Sequence, residues 1–163
     1  MLTLILMRHA EAGSASSDYE RKLSSRGQTQ AAKVGELIRG WGLCPDLVIS
    51  SGVKRTVETA DIVSSAFTVP PLRTVETSLY ESYTTQHLLD VMAKYGDYSS
   101  ENAANCILVV AHNPDISYRA DALMNEPLPV GFPTAGVVAL IFDADRWTDV
   151  SARSGSLLRS SFL

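Results

Sequence analysis

Little in this 163-residue chain suits a disulfide scaffold, a membrane span or a nucleic-acid surface. Only two cysteines occur, Cys44 and Cys106, and neither belongs to a Cys-x-x-Cys pair or to a Cys/His spacing that binds zinc. They are expected as buried free thiols. No apolar run approaches the roughly 20 residues that cross a bilayer, so no membrane span is expected. Leu2 to Met7 leads straight into Arg8, without the basic start and small-residue cleavage site of a secretory signal, and a cytoplasmic setting is the expectation. Basic residues are outnumbered, 14 Lys and Arg against 18 Asp and Glu, for a net charge of -4. That balance excludes a general nucleic-acid binder and requires any anion site to be local, made by a few placed cations. The chain also lacks the Gly-x-Ser-x-Gly elbow of many serine hydrolases, and it has no internal repeat.

What is present is an ordinary globular composition, 45% apolar and 20% charged, enough for one core and one domain spanning 1–163. Leu2 to Met7 is a continuous apolar run, the mark of a strand buried on both faces at the centre of a parallel sheet. Ser25-Arg26-Gly27-Gln28 reads as a capping box that opens a helix through Ala31, Val34, Leu37 and Ile38. Leu47 to Ile49 predicts a second strand, Val53 to about Phe67 a helix, Leu72 to Val75 a short strand and Thr85 to Tyr95 a helix. After a polar stretch from Gly96 to Asn105 come a strong strand at Cys106–Val110, a helix at Asp115–Met124 and a strand at Val137–Phe142. Trp147–Ala152 and Leu157–Phe162, around Ser154-Gly155, read as a terminal hairpin. Strands alternating with helices imply a three-layer α/β/α sandwich with a mostly parallel sheet and an antiparallel edge.

In such a sheet ligands bind beyond the carboxyl ends of the strands. Arg8-His9, Ser50-Ser51 and His112-Asn113 all follow predicted strands, and Ser51-Gly52-Val53-Lys54-Arg55 opens a helix. Two arginines, two imidazoles and a helix N-terminus at one rim suit a compact dianion, for which phosphate is the natural candidate. Phosphoryl transfer asks for positive charge around the phosphoryl oxygens and an in-line nucleophile, and a neutral imidazole nitrogen is one. A metal site is not expected, since the arginines would repel the cation, and no cofactor is implied.

"LMRHAEAG", "SSGVKRTVETA" and "VVAHNP", in that order and with "YERKLSSRGQTQAA" between the first two, resemble the signature stretches of the histidine phosphatase superfamily, the relatives of cofactor-dependent phosphoglycerate mutase. The resemblance covers most of the chain and is closest to the small SixA-type phosphohistidine phosphatases. It implies a phosphoglycerate mutase-like fold and a transient phosphohistidine on His9, with Arg8, Arg55 and His112 around the transferred group. It also implies that Arg21 is a further phosphate ligand and that Asn113 orients His112. Ala10 stands where the family usually has glycine. In the mutase and phosphomonoesterase branches a carboxylate after the third strand protonates the leaving oxygen; Glu81 lies in that region, and Glu11 is a weaker candidate. His87 is expected to be merely exposed, and Trp41 and Trp147 to serve packing.

The resulting expectation is a cofactor-free phosphatase acting on phosphohistidine displayed on a protein, because the chain is too short for large substrate-enclosing insertions. The alternatives are a small-molecule phosphomonoesterase, a more distant mutase, or a phosphate-recognition module without turnover.

Overall fold

The computed structural model describes residues 1–98, 103–128 and 131–162. Six strands form one sheet: β1 (Leu2–Arg8), β2 (Leu47–Ser50), β3 (Leu72–Val75), β4 (Cys106–Ala111), β5 (Val137–Phe142) and β6 (Ser156–Ser161), in the order β3-β2-β4-β1-β5-β6. The strands β1 to β4 run parallel, β5 lies antiparallel to β1, and β6 pairs antiparallel with β5. The mostly parallel sheet with an antiparallel edge is therefore the observed architecture.

Side-chain alternation along the central strands makes the three layers. In β1, Leu4 and Leu6 face one core and Ile5 and Met7 the other, all completely buried. In β4, Ile107 and Val109 join the first core while Leu108 and Val110 join the second. The first core is covered by α3 (Thr85–Gly96) and α4 (Asp115–Leu123), through Leu88, Met92, Ile116 and Ala120. The second is covered by α1 (Ser25–Gly40) and α2 (Lys54–Ser64), through Ala31, Val34, Ile38 and Val63. Burying each such aliphatic side chain is worth about 1.5–3 kcal/mol, so the strand ends stand on a rigid base. No helix among the described residues is long and apolar enough to cross a membrane.

Three expectations need correction. The first helix is capped by Ser24, not Ser25: Ser24 is extended, and its side chain accepts from the Gly27 amide, so Gln28 closes no box. Trp147–Asp149 is a 3-10 turn whose indole is buried and donates to the Ala104 carbonyl, so the last strand pairs with β5 and no terminal hairpin forms. Both cysteines are free thiols, but Cys44 is exposed and Cys106 half-buried. In the polar stretch from Gly96 to Asn105, residues 99–102 lie outside the described ones.

Two glycines shape the rim. Gly52 turns the chain from β2 into α2 at φ +93, and a side chain there would also strike Val75. Gly27, in the first turn of α1, lies so close to the segment after His9 that a Cβ would sit 1.9 Å from the Glu11 carbonyl oxygen. Gly27→Ala should therefore lower the unfolding free energy by about 1–3 kcal/mol in urea titrations. Gly40→Ala, where a Cβ meets nothing within 4 Å, should not destabilise; equal behaviour of the two would contradict the packing described.

Candidate active site

Because β4 lies between β1 and β2, with Arg8 opposite Ala111 and Ser50 opposite Val110, their carboxyl ends finish side by side. A cavity of about 320 Å³ opens there, lined by Arg8, His9, Asp18, Arg21, Arg55, Tyr80, His112 and Asn113. Three guanidiniums against one carboxylate leave two positive charges, matched to a phosphoryl dianion.

His9 continues the β1 ladder: its amide donates to the Ala111 carbonyl, and its own carbonyl accepts from the Ala135 amide, each at 3.0 Å. The ring is held as firmly. Its Nδ1 lies 2.7 Å from the Ala10 carbonyl, which only accepts, so Nδ1 carries a proton. On the other side Arg55 Nε donates to His9 Nε2 at 3.3 Å, which requires a lone pair on Nε2. Burial, together with the charges of Arg55, Arg8 and Arg21, lowers the His9 pKa to about 4, against the opposing hydrogen bond to Ala10. The geometry thus presents a neutral imidazole whose unprotonated Nε2 holds its lone pair on Arg55 at the cavity wall.

A chain of hydroxyls fixes the tautomer of His112. Thr56 Oγ1 donates to the Val53 carbonyl at 2.9 Å, which leaves Ser51 to donate to Thr56 at 3.0 Å. Ser51 Oγ then accepts from His112 Nε2 at 2.6 Å, so the Nδ1 lone pair points toward Arg55 Nη2, 3.5 Å away. Burial first, then neighbouring His9 and Arg55, lower the His112 pKa to about 3.

Arg8 ends β1 and anchors Nη1 on the Phe132 carbonyl at 3.0 Å, while its buried Nε has no partner among the described residues. Burial lowers its pKa. Arg55, 5% exposed in the first turn of α2, donates to the Asp18 backbone carbonyl at 2.8 Å and to Asp18 Oδ2 at 3.0 Å. Arg21 donates to the Gly13 carbonyl and to Asp18 Oδ1. The buried Ala10 has no left-handed backbone, and its amide donates to Thr59 Oγ1 at 3.1 Å, tying the end of β1 to α2.

Other expected residues fall elsewhere. Asn113 lines the cavity, but its amide nitrogen donates to the Phe132 carbonyl and its oxygen accepts from Ser117; Ser51, not Asn113, positions His112. Glu81 is exposed on a neighbouring depression with Tyr19 and Ser78, outside the cavity wall. Glu11 accepts from Ser24 and Arg26 beside α1, and His87 is half-buried against Ser78. Among the described residues no three His, Cys, Asp or Glu side chains gather where they could hold a metal ion. Asp18 and Tyr80 were not singled out in the sequence. They meet across 62 positions through a Tyr80 hydroxyl to Asp18 carboxylate hydrogen bond, and only the proximity of Asp18 to Arg21 gave any local signal.

The two depressed histidine pKa values have a consequence for stability. Below about pH 6.5 the unfolded chain protonates both rings while the folded chain does not, so folding stability should fall as pH drops from about 6.5 toward 4. Urea unfolding at about pH 7 and pH 5 should show that loss. The His9→Asn, His112→Asn double variant should show a shallower slope, and an unchanged slope would contradict the buried neutral pair.

Residues 4–81 match the family model for the histidine phosphatase superfamily (branch 1). A protein described as phosphohistidine phosphatase SixA from Nakamurella multipartitia is similar over 98% of this chain and 95% of its own, at 25% identity and a TM-score of 0.82. A mycobacterial glucosyl-3-phosphoglycerate phosphatase shares the fold at a TM-score of 0.66 and 17% identity, over 99% of this chain and 98% of its own. An uncharacterized chloroplastic protein of Arabidopsis thaliana is 26% identical over 93% of this chain and 72% of its own length. The motif residues thus gather on adjoining strand ends of a phosphoglycerate mutase-like sheet, and the segment 4–81 that carries His9 and Arg55 is similar to the histidine phosphatase superfamily.

Proposed function

We propose that the protein hydrolyses phosphohistidine on another protein through a covalent phosphohistidine on His9. The observation that carries this reading is the unprotonated Nε2 of a neutral His9, set among three arginines by a protonated Nδ1 on the Ala10 carbonyl; the incoming phosphoryl group takes over the Arg55 N–H that Nε2 accepts, which frees the lone pair. In the first step Nε2 bonds to phosphorus as the bond from phosphorus to the substrate nitrogen breaks, and that electron pair returns to the substrate ring. Arg8, Arg21 and Arg55 hold the phosphoryl oxygens; entry of the dianion raises the proton affinity of His112, whose Nδ1 takes a proton from solvent and donates it in a hydrogen bond to one of those oxygens. In the second step water attacks phosphorus and the bond to Nε2 breaks. Because Nδ1 keeps its proton on the Ala10 carbonyl, His9 leaves as a neutral imidazole.

Transfer between two imidazoles explains why a general acid is dispensable. An alkoxide leaving group needs one, a contribution of roughly a hundred to ten-thousandfold, and Glu81 lies outside the cavity. A phosphoimidazole protonated on its distal nitrogen departs neutral. The proposal takes residues 1–163 as one such domain, since all four helices pack on the same sheet, and the two free cysteines fit a reducing cytoplasm.

The test is phosphate release from a histidine-phosphorylated phosphotransfer protein, without added metal. Wild type should release phosphate well above background, and His9→Ala should be slower by roughly a thousandfold or more. No release by wild type, with turnover of small phosphate esters instead, would replace this substrate class with the small-molecule one; binding without turnover of either would favour a recognition module.

A further inference from the structure

Asp18 is an unexpected occupant of a pocket that binds anions. Its Oδ2 accepts from Arg55 at 3.0 Å and from the Tyr80 hydroxyl, and its Oδ1 accepts from Arg21 at 3.3 Å. Its own backbone carbonyl takes a further Arg55 N–H at 2.8 Å. The carboxylate is therefore built in, yet its side chain is 44% exposed and lines the same cavity as His9. Hydrogen bonds from Tyr80 first, then Arg55 and Arg21, hold its pKa at about 2, so it is charged at neutral pH and has no proton to give a leaving group. Beside it the Tyr80 ring meets His112 edge-on at 5.4 Å, and an exposed Tyr19 packs on Tyr80 at 4.9 Å.

We infer that Asp18 is a specificity-determining residue that selects a phosphorylated, protonated imidazole over phosphate esters carrying a second anionic group. The inference rests on the phosphohistidine reading above and assigns its selectivity to a residue. A phosphoimidazole bearing a proton on its distal nitrogen is a planar cationic ring attached to a phosphoryl dianion. The ring suits an aromatic rim of Tyr19 and Tyr80, and its N–H suits a fixed carboxylate. When His9 Nε2 takes the phosphoryl group, the electron pair of the broken bond to phosphorus returns to the substrate ring. The ring then leaves as neutral imidazole with its own N–H proton, so the enzyme supplies none. Asp18 thus selects the protonated ring, the form that can leave neutral, and the part of this attraction that persists into the transition state raises kcat/KM. A phosphoglycerate-type ester gains nothing from this arrangement, because its carboxylate would face Asp18 as a like charge.

The experiment compares wild type and Asp18→Asn on phosphoimidazole, on 3-phosphoglycerate and for inhibition by orthophosphate. Asparagine keeps the size and one acceptor for Arg55 while removing the charge. The ratio of kcat/KM for phosphoimidazole over 3-phosphoglycerate should fall by roughly tenfold or more, the scale of one charge-assisted hydrogen bond. Orthophosphate should inhibit the variant as well as or better than wild type. An unchanged ratio overturns the inference, and so does weaker orthophosphate inhibition, which would mean that Asp18 only props Arg55 in place. Wild type inactive on phosphoimidazole and on histidine-phosphorylated protein alike would remove the proposed function and this selectivity together; an active wild type with an unchanged ratio removes the selectivity alone.

Discussion

A guanidinium has hydrogens to donate and no lone pair to accept, and that asymmetry governs the centre of this molecule. Arg55 approaches His9 Nε2 at 3.3 Å and the His112 ring at 3.5 Å, so both imidazoles must turn unprotonated nitrogens toward it. Each ring therefore needs its remaining proton satisfied on the far side. The Ala10 carbonyl does this for His9 and Ser51 for His112. Burial of the pair adds to the same end, because a charged ring would lose its hydration among three like charges. In the proposed mechanism the nucleophilicity of His9 follows from neutrality, and neutrality from where the protons are held.

The sheet makes that arrangement stiff. Placing β4 between β1 and β2 brings three strand ends together, and their alternating side chains anchor each strand in both cores. The Ala10 amide on Thr59, and the Thr59 hydroxyl on the Arg55 carbonyl, then join the strand that leads into His9 to the helix that carries Arg55. A guanidinium and an imidazole contributed by different elements consequently share one rigid frame. Two connecting segments, by contrast, carry the remaining groups: Asp18 and Arg21 lie between β1 and α1, and Tyr80 between β3 and α3, and these form the more exposed side of the cavity.

Much of this frame could be read from residue order. The run from Leu2 to Met7 forms the central strand because apolar residues on both faces suit no other place in the sheet. Arg8, His9, Arg55 and His112 were recognisable because each adjoins a regular element whose periodicity locates it. The contributions of Asp18, Tyr80 and Ser51 were hidden for the complementary reason: they depend on distant segments meeting, and nothing in a linear pattern orders loops in space. Tyr80 and Glu81 differ by one position, yet the tyrosine lines the cavity and the carboxylate does not. A 3-10 turn at Thr77–Leu79 sets that phase, and sequence spacing alone does not register it. Ser24 and Ser25 show the same limit, since either serine suits a helix start and only backbone conformation selects the first.

The account stands or falls on whether phosphorus passes through His9 Nε2. The direct measurement is a rapid quench of enzyme mixed with an equal amount of histidine-phosphorylated phosphotransfer protein, followed by mapping of acid-labile, alkali-stable phosphate on the enzyme. The account predicts a transient phosphoryl group on His9, attached at Nε2, that forms before free phosphate appears. Phosphate released with no phosphoenzyme at any time, or a phosphoryl group found on His112, would contradict it.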